Sequence, residues 1–327
     1  MAPFQGLTDK YLRNIILDKF GGIDKVFAPF VSGCGTSQIS KSKLSDLLLD
    51  GKPLLKTVPQ IISNDSREII LFGETLAKYG YKQINWNLGC PFRRIAVKAK
   101  GSGLLPYPGR IENILNDIFE KEQLSFSLSV KTRLGYNSTK EIFEVINILN
   151  KYPLSEVIIH PRTGKQLYKG NTNLDDFAKC VELSAHPVAY NGDIYNSDAF
   201  DELFSRFGNI NHWMLGRGLL INPFLAEQIK KSFDTEIVYR ERLFEFIKQL
   251  LENTISRSGD ERKTTNHLKS VTYYMAGSFV DPDLVFSKIK KVKTTKEFVD
   301  VLNEIIDLPL SNNREKKEYF INGLKHL

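Results

Sequence analysis

The side chains able to do chemistry recur at one kind of place, the downstream end of a short apolar run. Gln60 closes one such run, Asn87 and Cys90 another, and Lys131 a third. His160 and Arg162 follow the next in "IIHPRTGKQLYKG", then Asn191 and Gly192 in "YNGDI", then Gly216 and Arg217 in "MLGRGLL". Cys90 stands between a strand-end Asn and a Pro, and a thiol of ordinary pKa, about 8.5, is mostly protonated at neutral pH and can donate. Lys131 interrupts the otherwise apolar "SFSLSVKTRL", a costly position for an amine unless a ligand meets it. "NGDI" and "LGRGLL" set glycines beside an arginine, as a phosphate site does: without Cβ atoms the backbone N–H groups approach the oxygens, and the guanidinium adds charge. These groups together imply a large, polar, negatively charged ligand. Cys34 and Cys180 lack such a setting and read as small buried hydrophobes.

Something must carry these groups to one mouth. Eight apolar runs rich in Val, Ile and Phe lie near residues 2–4, 25–31, 54–62, 83–87, 125–131, 156–160, 187–191 and 212–216, separated by segments of helical length. Segments 67–79 and 140–149 place apolar residues at three and four spacings, giving each helix one face for a sheet, with Ser66 and Thr139 at the expected N-caps. Eight strand–helix units in about 225 residues match an α/β fold of the (β/α)8 TIM-barrel type, whose reactive groups sit at the C-terminal strand ends. After "GLLINPFL" the strand signal stops and helix-period segments such as "RERLFEFIKQLLENTISR" and "TNHLKSVTYYMAGSF" take over. The sequence thus predicts a catalytic barrel over 1–235 and a smaller C-terminal all-helical domain over 236–327, joined by a linker near 234–238.

The composition narrows the classes. A chain of 327 residues with 42% hydrophobic content is a folded protein rather than a disordered one. It opens without a basic, apolar leader and contains no run long enough to span a bilayer, which reads as cytoplasmic. Three well-separated cysteines with no CxxC pair suggest neither a disulfide framework nor a metal site. A net charge of +7 and a pI near 9.0 favour a polyanionic partner. Basic residues cluster at Arg93, Arg94, Lys98 and Lys100, beside Cys90, and again from Lys288 to Lys296.

"APFQGLTDKYLR", "NWNLGCP", "SVKTRLGY", "IIHPRTGKQLYKG", "YNGDI" and "MLGRGLLINPFL" resemble, in order, the motifs of the tRNA-dihydrouridine synthases. That resemblance implies an FMN-binding barrel, NADPH as reductant and tRNA as substrate, with no obligate protein partner. It implies reduction of a uridine 5,6 double bond, hydride reaching carbon 6 from reduced flavin and a proton reaching carbon 5 from Cys90. By the same match Pro3 and Phe4 pack on the flavin ring, Gln60 and Lys131 hydrogen-bond its polar edge, and His160 contacts it. Asn191, Gly192, Gly216 and Arg217 serve its phosphate, Asn87 reads the uracil, and Arg162 and Tyr168 line the substrate cleft. Phe4 departs from the usual Met of the first motif, and residues 20–50 depart at the strand end. An FMN barrel acting on a small substrate of the dihydroorotate type, or the same chemistry on ribosomal RNA, is the alternative.

Overall fold

Parallel strands with crossover helices are what the alternating pattern demands, and the computed structural model shows them. It describes residues 1–121, 123–231, 236–257, 259–311 and 320, with side chains from 240 onward in the helix Glu236–Arg257. Six strands form one all-parallel sheet in chain order: Gln60–Ile61, Gln83–Leu88, Ser127–Gly135, Val157–Thr163, Val188–Tyr190 and His212–Trp213. Val26–Phe27 pairs in parallel with Thr57–Val58, and Val31 bridges to Ile61, so segments 26–31 and 57–61 continue that sheet by one stave. Residues 1–4 take the eighth place, where the Met1 carbonyl accepts from the Phe27 N–H at 3.1 Å and the terminal amine donates to Lys25. Ala2, Phe27, Val58, Ile158, Ala189 and Met214 form one inner cluster, so the first and last staves meet inside and the sheet closes as a (β/α)8 barrel.

Residue parity sorts the strands into inward and outward faces. In Gln83–Leu88, Ile84, Trp86 and Leu88 have no exposed surface and face the helices, while Asn85 and Asn87 face inward. Tyr190 likewise faces out, edge-on to Phe177 and stacked near Phe207. Burial of this aromatic layer, at roughly 1.5–3 kcal/mol per large side chain, pins each strand's register.

The helices form where the apolar spacing places them, with corrected caps. Ser66 is the first residue of the helix Ser66–Lys78, and Asp65 caps it by accepting from the Arg67 N–H at 2.9 Å. The helix Glu141–Leu149 has Lys140 rather than Thr139 at its N-cap, and the Glu141 carboxylate collects the N–H groups of Tyr136, Asn137 and Ser138 in the turn before it.

By packing, one compact unit comprises Met1–Gln5, Lys25–Gly192 and Phe207–Met214 and holds every barrel strand. The other comprises Gly6–Asp24, Asp193–Arg206 and the chain from Leu215 onward. Among the described residues after 235, that second unit has the helices Glu236–Arg257, Glu261–Met275, Pro282–Lys291 and Thr295–Ile305. Residues 234 and 235 of the expected linker lie outside the described residues, and 236–238 are already helical. Among the described residues no helix is long and apolar enough to cross a membrane, and no cluster of His, Cys, Asp and Glu could hold a metal ion.

Candidate active site

On the neighbouring strands Gln60–Ile61, Gln83–Leu88 and Ser127–Gly135 the inward face is polar, and its groups are wired together. Gln60 donates to the Asn85 carboxamide oxygen at 2.8 Å, and Asn85 donates to the Ser129 hydroxyl at 2.9 Å. Asn87 donates to the Gln60 oxygen at 2.8 Å, while its own oxygen accepts from the N–H groups of Gly89 and Cys90, each at 2.9 Å. Asn87 therefore fixes the turn that presents Cys90 and keeps one amide N–H for another partner. Gln60, without exposed surface, is the joint beneath it. Buried polar groups hold a defined geometry only when paired in this way.

Cys90 is buried, at 7% exposure, and its carbonyl accepts from both the N–H and the hydroxyl of Ser102. Gly101 has φ +57°, and a Cβ there would lie 2.7 Å from the Cys90 carbonyl oxygen. A Cβ on Gly103 would lie 2.2 Å from the Ala96 oxygen. Both glycines thus serve close packing. Burial raises the thiol pKa; the Phe92 N–H and the charges of Arg133, Arg94 and Lys131 act against that rise. Cys90 is accordingly a protonated thiol at neutral pH.

Lys131 lies one strand away, facing inward beyond Ser129. Burial, reinforced by the positive charge of Arg133, brings its pKa down to about 7. It is half-buried and has no hydrogen bond or ion pair among the described residues. An amine held there without a partner suits an anionic or polar ligand edge.

Arg133, two residues further along the same strand, has a structural part. Fully enclosed, it donates to the carbonyls of Gly89 at 3.0 Å, Thr163 at 2.9 Å and Leu167 at 2.6 Å. Its guanidinium lies 5.3 Å from the Tyr168 ring centre. Burial lowers its pKa to about 10, so it stays charged at neutral pH. One side chain thereby ties the Cys90 turn to the loop that carries Tyr168, including Leu167 in the left-handed region at φ +55°.

His160 and Arg162 face inward from the next strand. Arg162 donates to the Gly170 carbonyl through Nε at 3.2 Å and Nη2 at 2.5 Å, and its Nη1 lies 3.2 Å from His160 Nε2. A guanidinium can only donate, so Nε2 accepts and the ring proton sits on Nδ1. The Tyr168 ring, 39% exposed, lies 6.0 Å from that of His160. Asn191 is buried and donates to the Met214 carbonyl at 2.8 Å; Gly192 follows, where a Cβ would meet Thr172 at 3.1 Å. Phe4 packs, partly buried, on the apolar inner cluster, and Pro3 beside it is half-exposed.

The barrel unit thus gathers Pro3, Phe4, Gln60, Asn87, Cys90, Lys131, His160, Arg162, Tyr168, Asn191 and Gly192. Gly216 and Arg217 belong to the second unit. There Arg217 pairs with Asp193 at 2.8 Å, and its guanidinium lies 5.5 Å from the Tyr195 ring centre.

A barrel whose polar wall holds a protonated thiol and an unpartnered amine offers groups for proton transfer and for an anionic ligand. A family model described as "Dihydrouridine synthase (Dus)" matches residues 1–308, and the chain belongs to that family of oxidoreductases. It is 25% identical over 314 residues to a "tRNA-dihydrouridine(16) synthase" of Neisseria meningitidis serogroup A, covering 93% of each chain. It is 26% identical over 322 residues to "tRNA-dihydrouridine synthase B" of Pasteurella multocida, covering 96% of this chain and 94% of that one. Among solved structures, histamine dehydrogenase from Rhizobium sp. 4-9 overlays 70% of this chain and 45% of its own with a TM-score of 0.48 and 12% identity.

Proposed function

We propose that this chain reduces uridines of tRNA to 5,6-dihydrouridine in the cytoplasm, using FMN and NADPH. The observation that carries the chemistry is the pairing of a buried, protonated Cys90 with an unpartnered Lys131 on one polar wall. The RNA substrate rests on the relatives, named as tRNA-dihydrouridine synthases and aligned over nearly their whole length.

The donor set fits FMN. Lys131 would meet the pyrimidine edge of the ring, where reduction places negative charge that a cation offsets. His160, with its proton on Nδ1, would contact the ring, Pro3 and Phe4 would pack on it, and Gln60 would offer its remaining amide N–H. Asn191, Gly192, Gly216 and Arg217 would serve the phosphate, with Arg217 exchanging some of its hold on Asp193 for the new oxygens. Two-electron reduction at carbon 6 is what FMN supplies when bound, with NADPH as its source.

The remaining work falls to the chain itself. Asn87 would present its second amide N–H to the uracil, held in place by Gln60 and by the turn at Cys90. Cys90 would hold the proton destined for carbon 5, and burial keeps that proton on sulfur until carbon 5 becomes basic. Tyr168 would line the cleft over Arg133, with Arg162 fixing its loop from below. A uridine must leave its stack to reach such a wall.

Purified protein should show a flavin spectrum that NADPH bleaches, and should form dihydrouridine in tRNA lacking it. Colourless protein that FMN cannot reconstitute would sink this reading; activity on free pyrimidines but not on tRNA would favour the small-substrate alternative.

A further inference from the structure

The segment after Cys90 carries a surface that neither the flavin site nor the proton donor accounts for. Phe92 is 49% exposed and Val97 68% exposed, at the two ends of the short helical turn Arg93–Ala96. Arg93, Arg94 and Lys98 are exposed around them and have no ion pair among the described residues. Neighbouring cations are used otherwise: Lys100 lies 3.7 Å from the buried Glu68, and Arg67 pairs with Asp65 at 2.8 Å. Along the chain the nearest carboxylates on either side are Glu74 and Glu112, so no acid interrupts the segment.

The surface is also held firmly. Ser102 bonds the Cys90 carbonyl twice, Gly101 and Gly103 pack against Cys90 and Ala96, and Asn64 donates to the Lys98 carbonyl at 3.0 Å. A half-exposed aromatic ring on a rigid turn, flanked by unpaired arginines and with no acid in its own segment, is the construction used for nucleobases: the ring stacks on a base and the cations meet phosphates. An apolar protein partner would leave the three cations without a counterpart.

Resting on the tRNA reading above, we infer that Phe92 is a stacking platform for an unpaired nucleotide next to the target uridine, with Arg93, Arg94 and Lys98 on the adjoining phosphates. Removing a base from its stack has a free-energy cost, and a second aromatic surface two residues from Cys90 offsets part of it for the neighbouring base.

The test is steady-state kinetics on unmodified tRNA with flavin-loaded wild type, Phe92→Ala, Phe92→Leu, Phe92→Trp and the double variant Arg93→Ala/Arg94→Ala. Phe92→Ala should raise KM about tenfold, more than it lowers kcat, Phe92→Leu should behave like it, and Phe92→Trp should stay near wild type. The arginine variant should reduce the slope of log affinity against log salt by about 1–1.5, at about 0.7 per phosphate of a single strand, whereas Phe92→Ala should leave it alone. A KM within twofold of wild type for Phe92→Ala, or full rescue by Leu, overturns the platform while the tRNA reading stands. A wild type that reduces no tRNA uridine overturns both.

Discussion

Two sectors of the same barrel interior differ in kind, and only the stave that carries Val58 and Gln60 contributes to both. The first sector, Ala2, Phe27, Val58, Ile158, Ala189 and Met214, is apolar and closes the sheet. The second, Gln60, Asn85, Asn87, Ser129 and Lys131, is polar and is wired except at Lys131. Apolar packing tolerates small changes of shape, whereas a buried hydrogen-bonded chain fails at any missing member. The apolar sector therefore holds the barrel together, and the polar one holds its chemistry in place.

The largest effect that would sharpen this contrast is at the barrel mouth. Cys90→Ala should lower the rate of dihydrouridine formation by about 10²–10⁴-fold, the usual worth of a general acid, while the flavin spectrum persists. Full activity in that variant would remove Cys90 from the mechanism.

Lys131 gives a second, pH-dependent effect. Its amine titrates near 7 in the folded chain and near 10.4 when unfolded, so between those values the unfolded state binds more protons and rising pH stabilises the fold. Urea titrations of flavin-free protein should show wild type gaining stability relative to Lys131→Met from about pH 7 to pH 10, at up to about 1.4 kcal/mol per pH unit. Parallel pH profiles for the two proteins would place the amine in water.

Within the wired chain, Asn85→Ala leaves Gln60 and Ser129 each short of a partner and should cost about 2–3 kcal/mol by chemical denaturation. It should also lower turnover, because Gln60 braces Asn87. The smallest effect belongs to the apolar sector: Ile158→Val should cost about 1 kcal/mol and leave kcat and KM unchanged. If Ile158→Val altered catalysis as strongly as Asn85→Ala, the two sectors would not be separable.

Much of the fold was legible because strand parity and helix spacing are written directly in apolar residues. All eight runs became staves, the first of them through Met1's backbone bonds to Lys25 and Phe27 and through Ala2 and Phe4 on the inner cluster. The reactive side chains were legible because amines, thiols and imidazoles are conspicuous in apolar strands. Their supports were not. Asn85 and Ser129 look like ordinary solvent-facing residues of half-buried strands, and only barrel closure turns that face inward. Arg133 looks like a strand-end charge in water, yet its partners are carbonyls up to 44 positions away in the chain. The close packing of Gly101 and Gly103 is not legible either, because a glycine's neighbours across space are invisible in one dimension. Asp65 and Ser66 are both good caps, and the choice turned on one residue of register.

The inward face of these strands also bears on how such a protein can change over time. Asn85 and Asn87 lie on one strand, Ser129, Lys131 and Arg133 on the next, and Ile158, His160 and Arg162 on the one after, always two residues apart. A single-residue insertion or deletion within Gln83–Leu88 would swing Trp86 into the cavity and turn both asparagines against the helices. Drift by point substitution is open to these strands, but length variation is confined to the loops between them, and relatives that diverge in substrate should differ there.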